Sequence, residues 1–386
     1  MLTWTLLVLF LGLLYWLSRK PSSLPPGRWG LPIIGYIPLY TSDVRKIISD
    51  LREKYGDIFT WKVGSHVMVF FCDYELIKTT FNRPECQGRP SLFSFSLIRF
   101  HENAGILYAV GDVWVQGRRF ALKHLKDFGM GKSSLEGAIQ YEAQNLVGTF
   151  ERTSGKPIEI SWCLNVAVLN VIWKLVANFD LVITLDDFFG AGSETTSSTI
   201  RWLIALLATH PEIQTKMQKE IDEVVPRDTL PSLQDKDRLP YTEAVILEVM
   251  RYASFIPIGI MHATTEEIQV GKYRLPKNTA IFASARSCHR NQKYFERPEE
   301  FYPEHFLDKE GKVIMKKEGF LPFSLGRRQC LGESLARMEL FIFATSLFQR
   351  FTASPPKGGS ISLEPDCFQP LLSFIPPYEV VLTKRT

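Results

Sequence analysis

One mainly helical domain with a small β portion is the fold class this sequence predicts, and three observations carry the prediction. Apolar residues recur at helical spacing over most of 112–178, again over about 185–225, and over 239–252 and 331–351. Strand-like runs are short and fall within 40–80 and 255–285. No internal repeat or low-complexity tract marks off a further unit.

Residues 1–17 carry no charge, and Ser18-Arg19-Lys20 follows. Such a run is at the short end for a spanning helix. Basic residues behind it and no small-residue cleavage site predict an uncleaved anchor with the rest of the chain in the cytosol. Residues 18–32 hold Pro21, Pro25, Pro26 and Pro32, which cannot continue a helix and predict a stiff basic and proline-rich linker. Residues 33–386 then form the single large domain. Within it, Trp61-Lys62-Val63-Gly64 and Val67-Met68-Val69-Phe70-Phe71 predict a hairpin. A long helix over 185–209 stops before Pro211, and a more charged helix follows to about Val225. Pro240 opens another to Tyr252, Gly271-Lys272 marks a turn, and the last long helix starts near Leu331.

The hydrophobic share of 45% is ordinary for a chain with a sizeable core, and 27 phenylalanines allow large apolar pockets. A net charge of +4 is too small to argue for nucleic acid. Cys72, Cys86, Cys163, Cys288, Cys330 and Cys367 are far apart, with no C-x-x-C pair and no zinc-like spacing. A disulfide framework is not expected, and cytosolic exposure fits better.

The segment that carries chemistry is Phe323-Ser324-Leu325-Gly326-Arg327-Arg328-Gln329-Cys330-Leu331-Gly332-Glu333. A cysteine between glycines and directly before a helix sits where backbone N–H groups and the helix dipole stabilise a thiolate. A thiolate is the axial ligand that favours O–O cleavage on the opposite face of haem iron. Gly326 allows a tight turn, Gly332 allows close backbone approach, Phe323 can pack on a porphyrin face, and Arg328 can pair with a propionate. Further upstream, Ala191-Gly192-Ser193-Glu194-Thr195-Thr196 puts Gly and Thr mid-helix against their propensity, making room beside a hydroxyl that bonds back one turn. Glu248 and Arg251 share one helix face at i, i+3.

The cysteine segment resembles the F-x-x-G-x-R-x-C-x-G signature of the cytochrome P450 superfamily, with every defined position filled. Ala191 to Thr196 resembles the family's A-G-x-[DE]-T-T, Trp114 and Arg118 its W-x-x-x-R, and Phe301-Tyr302-Pro303-Glu304-His305-Phe306 an animal family-2-like variant of its P-E-R-F segment. The resemblance implies haem (heme b, iron protoporphyrin IX) with Cys330 on the metal, and Trp114, Arg118 and Arg328 at its propionates. It also implies proton delivery by Thr195 and Glu194, and a buried structural network of Glu248, Arg251 and His305. Implied as well are oxygen insertion into a small apolar substrate, with electrons from NADPH through a flavoprotein reductase, and cytochrome b5 as a further partner. The resemblance places the chain at the endoplasmic reticulum membrane. Arg119, Lys123 and Lys126 form a basic stripe where the family meets its reductase, and substrate contacts are implied at 93–106, before Thr195, and at 255–260 and 369–372.

The resemblance breaks at one place. Near 179–184 the sequence passes almost directly into the oxygen-binding helix, where the family has several helices that roof the substrate pocket. The fold expected is therefore that of the family without its roof, with an open pocket and exposed apolar faces. The alternative to a working monooxygenase is a truncated, catalytically inactive or unstable isoform. A thiolate-haem isomerase is a third reading, which Glu194-Thr195 argues against.

Overall fold

The computed structural model describes residues 4–6, 12, 19–38, 43–90, 103, 105–127, 129, 133–153, 155–176, 182–367, 369 and 371–385. The expected anchor at 1–17 lies almost wholly outside the described residues. Among those described, no helix is long and apolar enough to cross a membrane.

In chain order the described helices are α1 (Val44–Tyr55), α2 (Tyr74–Phe81), α3 (Gly111–Asp127), α4 (Ser133–Glu151), α5 (Ser161–Val176), α6 (Val182–Thr209), α7 (Pro211–Val224), α8 (Pro240–Ala253), α9 (Ala285–His289) and α10 (Glu333–Arg350). The strands are β1 (Gly27–Arg28), β2 (Ile58–Val63), β3 (His66–Phe71), β4 (Pro157–Glu159), β5 (His262–Ala263), β6 (Ile268–Val270), β7 (Tyr273–Leu275), β8 (Ala280–Ala283), β9 (Phe351–Ser354) and β10 (Glu379–Lys384).

Helix starts follow local chemistry. Asp43 accepts from the Arg45 N–H, and Asp73 accepts from those of Glu75 and Leu76, so α1 and α2 are capped by carboxylates. Pro211 and Pro240 open α7 and α8, where a missing N–H goes unnoticed. The expected hairpin is β2 and β3, antiparallel from Ile58↔Phe71 to Val63↔His66. It anchors a five-stranded sheet in the order β1-β2-β3-β8-β5, in which Phe70 stacks between Phe59 and Phe282. The turn at Gly271 joins β6 to β7.

The proline-rich stretch is more than a connector. Leu24 is buried, and Gly27 and Arg28 pair in parallel with Thr60 and Trp61 of β2. A Cβ at Gly27 would lie 1.8 Å from the Thr60 carbonyl oxygen, so the strands meet where only glycine fits. Residues 24–28 therefore belong to the domain, because a polar backbone brought this close to a sheet edge joins its ladder.

The main core gathers α4 to α8 around α10, whose residues from Met338 to Gln349 are all buried. A helix buried on every side shows no amphipathic stripe, and this one stands at the centre of the fold. The cysteine loop leads directly into it.

Candidate functional site

A cavity of about 1950 Å³, counting its open mouth, lies between α6 on one side and the loop before α10 on the other. Its wall takes in Trp114, Arg118, Ala191, Gly192, Thr195, Phe323, Arg328, Cys330 and Gly332. These residues span more than two hundred positions of sequence, and the fold brings them to one space.

The loop is built to present Cys330. Gly326 has φ +77°, and a Cβ there would meet the Phe81 carbonyl oxygen at 2.8 Å. A short 3-10 turn over Gly326–Arg328 follows, and Cys330 N–H donates to the Phe323 carbonyl at 2.9 Å. Cys330 is exposed, and its side chain opens onto the cavity. Burial raises the Cys330 thiol above its ordinary value, while backbone N–H groups of Gly332 and Glu333 and the Arg118 guanidinium pull it down. Donors that would stabilise its thiolate are thus already in place.

Beside the sulphur the cavity has surplus positive charge. Arg328 donates to the carbonyls of Gln87 and Ala109, Arg118 to Gln329, and Arg89 to Leu107 and Met261. Among the described residues none of the three has a carboxylate partner. Burial, then the Arg89 and Arg118 charges, lowers Arg328, and guanidinium groups remain charged regardless. The Arg328 guanidinium lies 4.0 Å over the Trp114 ring, and Trp114 Nε1 is buried with no partner. Cations and an orphaned N–H around one space are what a ligand bearing carboxylates would satisfy.

Across the cavity, α6 is threaded with hydroxyls bonding back one turn. Thr195 Oγ1 donates to Ala191 O at 2.7 Å, Ser193 to Phe189 and Thr199 to Thr195. Gly192 lets α6 close on α5, since a Cβ there would meet Ile172 Cδ1 at 2.7 Å. Glu194 is not part of the wall, and its Oε1 accepts from the Ser198 hydroxyl at 3.0 Å.

Glu248, Arg251 and His305 stand outside the cavity. Arg251 grips Glu248 through Nε and Nη2 at 2.7 and 2.6 Å, and His305 Nδ1 lies 3.2 Å from Glu248 Oε2. Arg251 also donates to the carbonyls of His289, Pro298 and Glu300. All three are buried.

Three residues of the site escaped sequence reasoning. Arg89 and His262 both belong to the wall. His262 Nδ1 lies 2.9 Å from the Cys86 carbonyl, which can only accept, so Nδ1 carries the hydrogen; burial, then Arg89, lowers this histidine to about 3. His289 accepts the Leu321 N–H at Nε2 and meets Ser254 Oγ at Nδ1, both at 2.8 Å, and so ties the end of α8 to the start of the cysteine loop. No local pattern flags any of them. Of the expected substrate contacts, Ile106, Phe255, Ile256, Gly259 and Ile260 reach the wall. Most of 93–105 lies outside the described residues, as does residue 370, and Gln369, Leu371 and Leu372 are not part of the wall.

Comparison with known proteins completes the picture. The cytochrome P450 family model matches residues 25–181 and 176–381. Cytochrome P450 2L1 of Panulirus argus is 38% identical over 477 aligned positions, covering 96% of this chain and 97% of the relative. Cytochrome P450 2G1 of Oryctolagus cuniculus is 32% identical, covering 87% and 88%. Cytochrome P450 18a1 of Drosophila melanogaster is 29% identical, covering 92% and 87%. Relatives of this kind are haem-thiolate oxidoreductases of the monooxygenase type. With a family match over nearly the whole length, and a cysteine loop facing a cation-rimmed cavity, this chain belongs to the cytochrome P450 family.

Proposed function

We propose that this chain inserts one oxygen atom from O₂ into a small apolar substrate, with electrons from NADPH relayed by a flavoprotein reductase. The observation that carries the reading is the Cys330 sulphur opening onto a cavity rimmed by three guanidiniums that have no carboxylate partner among the described residues. These residues fit haem b: Cys330 would hold the iron, and Arg118, Arg328 and Trp114, joined by Arg89 and His262, would hold the propionates. Phe323, Gly326 and Gly332 shape the floor, and Ala191 and Gly192 leave space opposite Cys330. When bound, the haem supplies the redox centre at which dioxygen is activated.

The chain's own contribution is to bind, orient and move protons. Thr195 Oγ1 donates to Ala191 O and so keeps its lone pairs for the cavity side. Glu194, partly exposed and hydrogen-bonded to Ser198, is the acid that exchanges protons with solvent. Phe255, Ile256 and Ile260 offer the apolar contacts for substrate. Arg119, Lys123 and Lys126 lie exposed on α3 and steer an acidic reductase, or cytochrome b5, by charge. Residues 1–17 anchor the chain in the endoplasmic reticulum membrane with the domain in the cytosol. Leu31, Ile33, Ile34 and Ile37, each more than half exposed shortly after that run, support a lipid surface nearby.

The segment near 179–184 is shortened relative to the family, and residues 177–181 lie outside the described residues. Three observations support the reading. The alignment to the Panulirus relative runs over 477 positions although this chain has 386 residues. The two family matches meet at 176–181. Trp162, Leu169 and Trp173 of α5 stand exposed. An under-roofed cavity admits water and releases reduced oxygen as peroxide.

The test is the carbon monoxide difference spectrum of the reduced, purified chain, followed by turnover with reductase. A strongly red-shifted Soret band and NADPH-dependent oxygenation, with peroxide release, are expected. A band typical of a neutral ligand would leave an inactive relative of the family, and product formed without reductase would mean an isomerase.

A further inference from the structure

Two buried carboxyls of the cavity wall have no part in the proposed chemistry: Asp187 accepts the backbone N–H groups of Ile106 and Leu107, and the other is Glu339. It lies on α10, two and a half turns beyond Cys330, at 1% exposure. Its Oε1 is buried without a hydrogen-bond partner, and its polar neighbour is the Thr196 side chain of α6. The buried charges on helices packed against α10 are all engaged elsewhere. Glu142 holds Asn170 and Lys174, Glu243 holds Lys236, Glu248 and Arg251 hold each other, and Arg201 donates to Ile375 O. On α10 itself, Arg337 pairs with Glu333. No cation therefore faces Glu339 among the described residues. An ionised carboxylate so placed would be an uncompensated buried charge.

We propose that Glu339 is kept as a neutral carboxylic acid and, through Thr196, acts as a positioning residue that registers the helix carrying Thr195 against the helix behind Cys330. The acid form can donate one hydrogen bond and accept another, so it bridges two helices without a counter-charge. Burial agrees in direction, raising this carboxyl to about 8, with Thr196 acting weakly the other way. The inference rests on the haem-thiolate reading only for what the cavity holds.

Infrared spectroscopy of the haem-loaded full chain tests it. At neutral pH the wild type should show the stretch of a buried protonated carboxyl. The band should be absent in Glu339→Gln and shifted in Thr196→Val. The folded state keeps this proton up to about pH 8, whereas the unfolded chain releases it near the usual glutamate value. Wild-type stability should therefore be greatest at the acid end of that window and fall towards about pH 8, measured against Glu339→Gln, whose amide preserves the contact without the slope. Superimposable carboxyl spectra, or parallel stability profiles, for wild type and Glu339→Gln would overturn the proposal. Loss of the thiolate carbon monoxide signature with the acid band intact would fault the haem reading and leave this one standing.

Discussion

Behind Cys330 the cavity wall is backed by closed structure: α10 is buried from Met338 to Gln349, His289 links α8 to the loop, and the Glu248–Arg251–His305 network fills the space beyond. Across the cavity, α5 leaves Trp162 75% exposed and Trp173 59% exposed, although the same helix buries Leu164, Val168 and Val171 completely. Most polar groups of the first wall are answered by protein, Glu339 Oε1 and Arg337 Nη1 being exceptions. The second has a finished inner face and an outer face on which, among the described residues, Trp162 and Trp173 stay mostly exposed. What the contrast teaches is that holding a cofactor and enclosing a substrate are separable tasks. The closed wall rests on the contacts between α8, the loop and α10, whereas in the proposed reading enclosure would fall to elements packed outside α5.

The comparison breaks most easily at the sulphur. Cys330→Ser should abolish the red-shifted carbon monoxide band altogether, and a band that survived would mean the closed wall is not the metal side. Next comes the network: Glu248→Ala strands the buried Arg251 charge and should destabilise the fold by about 3–5 kcal/mol. Chemical denaturation reads this directly, and a loss below about 1 kcal/mol would mean the closed wall does not depend on the pair. The open wall should respond differently. Trp162→Gln should change stability by no more than about 0.5 kcal/mol while reducing self-association in sedimentation runs. Trp173 stacks on Phe189 at 5.6 Å, so Trp173→Gln should cost about 1 kcal/mol more. Smallest in equilibrium terms is reversal of Lys123 and Lys126 to Glu. Folding should be unchanged, while reductase association slows and loses its salt dependence in stopped-flow.

Much of the site was legible because its chemistry is written locally. Cys330, Gly326 and Phe323 lie within eight residues, and the turn, the glycine and the helix start that present the sulphur are all consequences of neighbours in sequence. Thr195 and Ala191 are likewise one helical turn apart. Arg89 and His262 were invisible for the opposite reason. His262 is oriented by a carbonyl 176 positions away, and Arg89 by one 172 positions away. A lone arginine or histidine has no periodicity to betray it.

The sequence by itself determined the helix stops before prolines, the β2–β3 hairpin, and the cysteine loop opening into a helix, since each follows from backbone sterics and hydrogen bonding over a few residues. Only the tertiary structure decided that Glu248 and Arg251, at a spacing that most often gives a solvated pair, are buried at the centre of a network. It also decided that Gly27 and Arg28 of the proline-rich stretch join a sheet, that three guanidiniums share one space, and that no cation among the described residues faces Glu339. Burial and counter-charge belong to what packs around a residue, and no local pattern records them.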